Sequence, residues 1–234
     1  IYGNNTRQHN QKSFRLYARY DYDSVNEFSY PFFPDLYSDV DGSVIDEYQR
    51  LSFHNSGNDH DYGYIRTELT GKLARNVGFP ETLTAESVTV YINGKYQGVY
   101  WLQNTFDDRY FKEKYGDYEG EMVIAYGGLC DVYVGEKDSP PHVVSDEYNA
   151  FCDWISTADM SNDANWKRVC DTIDINNFAQ YFAIQYYTGN YDWPQHNVKV
   201  FRYMAADGEA YTENSIFDGK YRFLLFDTDY SFGL

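Results

Sequence analysis

The chain is poor in cysteine, in basic residues and in long apolar runs. Its three cysteines, Cys130, Cys152 and Cys170, are too few and too scattered for a disulfide framework or a zinc site. Lys and Arg number 19 against 36 Asp and Glu, and the net charge of -17 argues against nucleic acid and anionic membranes as partners. No stretch of about 18 apolar residues and no amino-terminal signal segment is present. We therefore expect a soluble piece, whose targeting signal would lie before Ile1.

Several catalytic motifs are also missing. The sequence has no H-E-x-x-H and no G-x-S-x-G, so zinc hydrolysis and serine acyl transfer lack support. It has no G-x-G-x-x-G loop either, so any bound phosphate would have to be held by a shorter turn. The five histidines show no metal-ligand spacing: His54 and His60 bracket a turn, and His196 lies in another loop. We expect no histidine cluster.

The chain is long enough for a substantial core and is rich in aromatic residues. A chain of 234 residues and 27.4 kDa can bury roughly 70–75% of its unfolded surface without a metal or a disulfide. The 26 tyrosines and the aromatic content of 20% favour a secreted or surface protein that meets polymers. Aromatic residues are equally good core and strand formers, which leaves that interpretation open.

Local patterns predict strands and one helix in the first hundred residues. The Asn93-Gly94 pair lies between two stretches of strand character and predicts a β-hairpin over residues 89–101. Ile65, Leu69 and Leu73 recur at helical spacing and predict a helix with an apolar face.

The proline-containing stretch 137–142 predicts a boundary within the chain. After it, residues 146–156 and 175–187 have helical patterns. We therefore expect an α+β fold, with a strand-rich part over residues 1–140 and a more helical part over residues 141–234.

Acidic and amide side chains occur at strand ends in the second half. Asp192 precedes Asn197 by five residues and a strand follows, and Asp227 and Asp229 come directly after a second apolar strand. Phosphoryl transfer needs a carboxylate that orients or deprotonates the acceptor hydroxyl, and oxygen ligands for Mg²⁺. Asp192 would be the base, Asn197 one metal ligand, and Asp227 or Asp229 the other. Asp227 and Asp229 share a face if the strand continues; the alternative is that all of these residues are solvated turn residues.

Five stretches, in the same order, resemble the spore coat protein CotH kinase family, an atypical branch of the protein-kinase-like fold. They are residues 3–16, 58–69, 90–100, 190–202 and 226–233. The resemblance implies one two-lobed kinase-like domain over residues 1–234, with an antiparallel, strand-rich first lobe and a more helical second lobe. Because a kinase would continue past residue 234, we expect a truncated piece.

The resemblance also implies ATP and Mg²⁺ as cofactors. By it, the turn from Gly3 through Asn4 to Arg7 contacts the phosphates together with Lys12, and Glu68 pairs with Lys12. Asp192 would be catalytic, and the metal would be held by the following residues: Asn197, Asp227 and Asp229. The implied acceptors are Ser or Thr hydroxyls of secreted or coat proteins, at an extracellular, cell-surface or spore-surface location.

The sequence departs from the family pattern at Gln103, where the family commonly has an acid. This keeps open a catalytically silent, kinase-like binding or scaffold module of an extracellular assembly. A carbohydrate-active protein is a further alternative, with Asp192 and Asp227 or Asp229 as an acid and base pair.

Overall fold

The computed structural model describes residues 1–3, 5–137 and 139–233. These residues form an α+β fold with antiparallel sheets and five α-helices. The strands are β1 (Phe14–Tyr17), β2 (Phe28–Ser29), β3 (Glu47–Tyr48), β4 (Arg50–His54), β5 (Ala85–Ile92), β6 (Lys95–Gln103), β7 (Glu121–Gly128), β8 (Asp131–Tyr133), β9 (Val198–Met204) and β10 (Arg222–Leu224). The helices are α1 (Arg66–Asn76), α2 (Asp108–Tyr115), α3 (Val143–Ile155), α4 (Asp163–Thr172) and α5 (Ile175–Thr188). Asn4, predicted to contact phosphates, lies outside the described residues, as does Leu234.

The first sheet has the strand order β1-β4-β6-β5, and all of its pairs are antiparallel. The predicted hairpin is confirmed as β5 and β6. Asn93 and Gly94 form its turn with φ of 50° and 76°, the left-handed pair of conformations that a two-residue hairpin turn requires.

The second sheet has the strand order β10-β9-β7-β8. Its strands β7 and β8 precede residue 140, yet β7 pairs along its length with β9. The predicted boundary at residues 137–142 therefore does not separate the two sheets, and it forms part of the connection from β8 to α3. The physical reason is that β7 buries Val123 and Ala125 in the same core as Val198 and Val200 of β9. The division into two lobes remains a prediction.

Strand β9 presents its two faces to two different cores. Val198 and Val200 belong to the core that α3 and α5 cover. Phe201 and Tyr203 belong to a second core, which includes Leu102 of the first sheet. Since side chains alternate along a strand, Lys199 projects on the same face as Phe201, toward the first sheet.

Helix α1 buries a different face from the predicted one. The helix predicted from this spacing is confirmed, but Ile65, Leu69 and Leu73 are all exposed, so they do not form its inward face. The inward positions are small: a Cβ added at Gly71 would lie 3.0 Å from the carbonyl oxygen of Leu83. Close backbone approach replaces side-chain interdigitation here, and it brings Glu68, one residue after the buried Thr67, toward the first sheet.

Helix α5 leads directly into the loop that carries Asp192. Asp174 caps its start by accepting a hydrogen bond from the Asn177 amide, and Gly189 ends it with φ of 60°. Trp193 is buried in the loop, with its ring centre 4.9 Å from that of Phe182 on the helix. The helix therefore anchors the loop through its aromatic face.

No helix in the described ranges is long and apolar enough to cross a membrane.

Candidate functional site

A cavity of about 770 Å³ is lined by residues of both sheets and of several loops. Five of the residues predicted from sequence line it, and they are Gly3, Asp192, Asn197, Asp227 and Asp229. Of the other predicted residues, Arg7, Lys12 and Glu68 are not among its described lining residues.

Asp192 and Asn197 are in direct contact at one end of the cavity. The Asn197 amide nitrogen donates to Asp192 Oδ2 at 2.7 Å, and Tyr126 Oη donates to Asn197 Oδ1 at 3.3 Å. Asn197 is buried and has φ of 58°, a left-handed conformation that Asn tolerates better than most residues. The predicted spacing of five residues therefore joins the two side chains within one loop.

Asp229 is a buried carboxylate with one oxygen unsatisfied. Its Oδ2 accepts hydrogen bonds from the Asn58 backbone amide at 2.6 Å and from the Asn58 side chain at 3.0 Å. Its Oδ1 is buried and has no hydrogen-bond partner among the described residues. Burial, together with the nearby charge of Asp227, raises the pKa of Asp229 to about 7, against the hydrogen bond from the Asn58 backbone amide.

Asp227 lines the same cavity, but it does not lie on a continued strand as the sequence suggested. Strand β10 ends at Leu224, and Asp227 has φ of 51°, so the chain turns and the two acids do not share a strand face. Burial raises the pKa of Asp227, whereas the charges of His54 and Lys199 lower it. Two close carboxyls, one with a free oxygen, resist joint ionisation unless a cation compensates them.

The residues present therefore fit a divalent cation. Mg²⁺ prefers carboxylate, amide carbonyl and water oxygens, and the cavity offers such donors from Asp227, Asp229 and Asn197.

Gly57 allows the approach of Asn58 to Asp229. A Cβ at Gly57 would lie 2.2 Å from Asp229 Oδ2, and its φ of 57° is left-handed as well. Only glycine fits both conditions. The loop that follows β4 thus holds a carboxylate from 171 residues later in the chain.

Three cationic side chains line the cavity: Arg15, Arg50 and Lys199. Lys199 was not singled out from sequence. Its ammonium lies 3.8 Å from the ring centre of Phe226, and no ion pair joins it to a carboxylate in the part of the chain that the structure describes. Burial lowers the pKa of Lys199 to about 8, against the opposing effect of Asp227. Arg15 stacks on Tyr2 at 4.2 Å, and Arg50 forms an ion pair with Asp107 at 3.4 Å.

Lys12 and Glu68 do not pair. Lys12 Nζ donates to the Arg7 carbonyl at 2.5 Å, and Arg7 is exposed. Glu68 Oε1 accepts from Gln103 Nε2 at 3.1 Å and lies 3.7 Å from His54 Nδ1. The expected pair is replaced because Glu68 reaches the first sheet beside these two side chains, whereas Lys12 precedes β1 and folds back on its own segment.

His54 interacts electrostatically with Glu68 and with the two aspartates of the cavity, Asp227 and Asp229. Burial opposes a charge on His54, but the negative charge of Glu68, with those of Asp227 and Asp229 beyond, outweighs it and raises the His54 pKa. The imidazolium form would partly neutralise the two aspartates.

The three cysteines are free. The Cys152 thiol neighbours Cys130, and burial followed by that contact raises the pKa of Cys152 to about 12. Cys152 and Cys170 form no disulfide bridge with each other.

One of two comparisons with known proteins finds a match. No curated protein matches the chain. The family model described as CotH kinase protein matches residues 1–234, which is the whole sequence. That family suggests a kinase-like function, and a kinase-like family implies use of ATP. The match covers every stretch whose resemblance was noted above, and the chain belongs to the CotH kinase protein family.

Proposed function

We propose that this chain is an ATP- and Mg²⁺-dependent phosphotransferase that acts on Ser or Thr hydroxyls of protein substrates. The observation that carries the proposal is the presence of both charge signs in one cavity. Asp192, Asp227 and Asp229 supply carboxylates, and Lys199 with Arg15 supplies cations that could meet phosphate oxygens. The net charge of -17 makes this local positive charge necessary for any nucleotide.

In this proposal each residue has one role. Asp229, Asp227 and Asn197 would hold Mg²⁺, which would supply positive charge against the negative charge that develops during phosphoryl transfer. The positively charged Lys199 would bind phosphate oxygens. Asp192 would orient the acceptor hydroxyl and accept its proton, and its hydrogen bond from Asn197 fixes the carboxylate for that task.

We further propose that the acceptors are secreted or coat proteins, and that the chain works at an extracellular, cell-surface or spore-surface location, where it can join an assembly. This rests on the tyrosine-rich, acidic composition and on the resemblance of the motifs.

A second candidate is a kinase-like module that binds nucleotide without turnover. It is favoured by Gln103, which is buried and donates to Glu68, so that this position adds no negative charge toward the cavity.

Calorimetric titration with ATP, in Mg²⁺ and again in EDTA, tests the binding step. We expect saturable binding that requires Mg²⁺. Incubation with radiolabelled ATP and Ser- or Thr-containing acceptor proteins tests transfer. Labelled phosphoserine or phosphothreonine supports the enzyme; binding without label supports the silent module; absence of binding contradicts both.

A further inference from the structure

His9, His60 and Asp61 come together outside the cavity. Their ligand atoms all lie within 4.8 Å of one another. Asp61 Oδ2 is 4.0 Å from His9 Nδ1, and Asp61 Oδ1 is 4.0 Å from His60 Nε2. The expectation that no histidine cluster exists is therefore wrong, because the two histidines meet only after folding.

The second nitrogen of His60 is already engaged. His60 Nδ1 lies 2.9 Å from the Asn55 carbonyl oxygen. A carbonyl only accepts, so Nδ1 carries the proton and donates it. Nε2 is then the unprotonated nitrogen, and it faces Asp61. This is the arrangement in which a ligating histidine is held by an outer carbonyl.

The turn that carries His60 and Asp61 is rigidly held by its neighbour Asp59. Asp59 is fully buried and accepts hydrogen bonds from the backbone amides of Gly63 at 2.9 Å, Ile65 at 2.8 Å and Arg66 at 3.0 Å. The His60 ring also lies 4.5 Å from the His9 ring, centre to centre. The His60 ring and the backbone of this turn are thus held in place before any ion arrives.

The spacing fits a small transition-metal ion after a modest contraction. Tetrahedral ligands at about 2.0–2.1 Å from Zn²⁺ lie roughly 3.3 Å apart, so ligand atoms that lie within 4.8 Å of one another must close by up to about 1.5 Å. The Asp61 side chain is 75% exposed and can make that movement. Two imidazoles and one carboxylate select Zn²⁺, Ni²⁺ or Cu²⁺ over Mg²⁺ and Ca²⁺, which prefer oxygen.

We propose that His9, His60 and Asp61 form a site for a divalent transition-metal ion of the zinc class, with water completing its coordination. The ion would tie the amino-terminal segment to the loop after β4. That segment contributes Gly3 and Thr6 to the cavity, and that loop contributes Asn58, the partner of Asp229. The site would therefore stabilise two walls of the cavity without taking part in phosphoryl transfer.

The test is a Zn²⁺ titration. The protein is first freed of metal by a chelator and then supplied with excess Mg²⁺, which fills the site proposed at Asp227, Asp229 and Asn197. We expect one saturable Zn²⁺ site at micromolar concentration and a rise in melting temperature. His9→Gln, His60→Gln and Asp61→Asn should each weaken Zn²⁺ binding by about 100-fold or more, since loss of even an outer-shell partner typically costs about 10–100-fold.

His142→Gln is the matched control, because His142 is also partly buried but caps α3. It should leave Zn²⁺ affinity unchanged, as should Asp229→Asn. Absence of stoichiometric Zn²⁺ binding would overturn the proposal. Wild-type affinity in His9→Gln and Asp61→Asn would overturn it too, and these variants decide the matter even if His60→Gln fails to fold.

Discussion

Replacing Asp229 by Asn should stabilise the metal-free protein and abolish its response to Mg²⁺ and ATP. Asp229 is 1% exposed, and its Oδ1 has no partner in the described part of the chain. Asn keeps the shape and keeps an oxygen that can accept both hydrogen bonds from Asn58. It removes the charge that burial and Asp227 oppose, and it removes the charge that a metal ion needs.

The magnitude follows from the pKa of Asp229. A move from the ordinary value of 3.8 to about 7 corresponds to about 4 kcal/mol, at about 1.36 kcal/mol per pKa unit. Part of this energy is repulsion that Asp229 shares with Asp227, and burying the Asn amide also costs free energy. We therefore expect Asp229→Asn to raise the free energy of unfolding by about 1–3 kcal/mol. For a chain of this size about 1 kcal/mol moves the melting temperature by roughly 2–4 °C, so the rise should be roughly 2–12 °C.

The pH dependence of this gain has a definite sign. The folded-state pKa of Asp229 is raised, so ionisation disfavours the folded state as the pH rises from about 4 to about 7. The advantage of Asp229→Asn in EDTA should be absent near pH 4, grow through that window and level off above it. Mg²⁺ should stabilise the wild type increasingly over the same window.

Thermal unfolding in EDTA and in Mg²⁺ with ATP measures both effects. Asp218→Asn is the matched control: the Asp218 side chain is only 8% exposed, but it accepts two hydrogen bonds from Arg222, at 2.8 and 2.9 Å. Its replacement should lower the free energy of unfolding by about 3 kcal/mol, the usual cost of breaking a buried pair. A fall in metal-free stability for Asp229→Asn, with the Mg²⁺ and ATP response retained, would refute the reasoning.

Three further predictions concern single side chains. Lys199→Met should weaken ATP binding in calorimetry by about 10–100-fold, and wild-type affinity should fall as the pH rises through about 8, where Lys199 loses its charge; a larger loss in Lys12→Met would contradict this assignment. Asp192→Asn should leave ATP binding nearly intact and lower the rate of phosphate transfer by about 10² or more; equal loss of both would make Asp192 a metal ligand. Gly57→Ala should abolish Mg²⁺-dependent ATP binding, because its Cβ would displace Asp229. Gly94 has φ of 76° and nothing within 4 Å of an added Cβ, so Gly94→Ala should only lower the melting temperature. Similar outcomes for the two variants would argue against the clash.

The parts of the fold that depend on local sequence could be predicted. The Asn93-Gly94 turn needs only its own two residues, and the structure has it. The face of α1 could not be predicted, because Ile65 and Leu69 have the required spacing but the close approach at Gly71 decides the orientation. Helix α4 was missed because Val169 is its single buried residue, so it has no apolar face that a sequence pattern could show.

The candidate site divides in the same way. The contact between Asp192 and Asn197 lies within one loop, so spacing was sufficient to bring them together. The contact between Asn58 and Asp229 joins residues 171 positions apart and has no local signal. Lys199 has the pattern of a solvated strand residue. Only the pairing of β9 with β7 and β10 turns it toward the cavity.

A crystal structure with Mn²⁺ and a non-hydrolysable ATP analogue tests the central claim most directly, because the anomalous signal of Mn²⁺ locates the metal independently of the nucleotide. We predict a Mn²⁺ peak in contact with Asp229 Oδ1, shared with Asp227 or Asn197, and nucleotide phosphates within hydrogen-bond distance of Lys199 Nζ. A nucleotide bound outside this cavity, or a metal ion without contact to Asp229, would contradict the account.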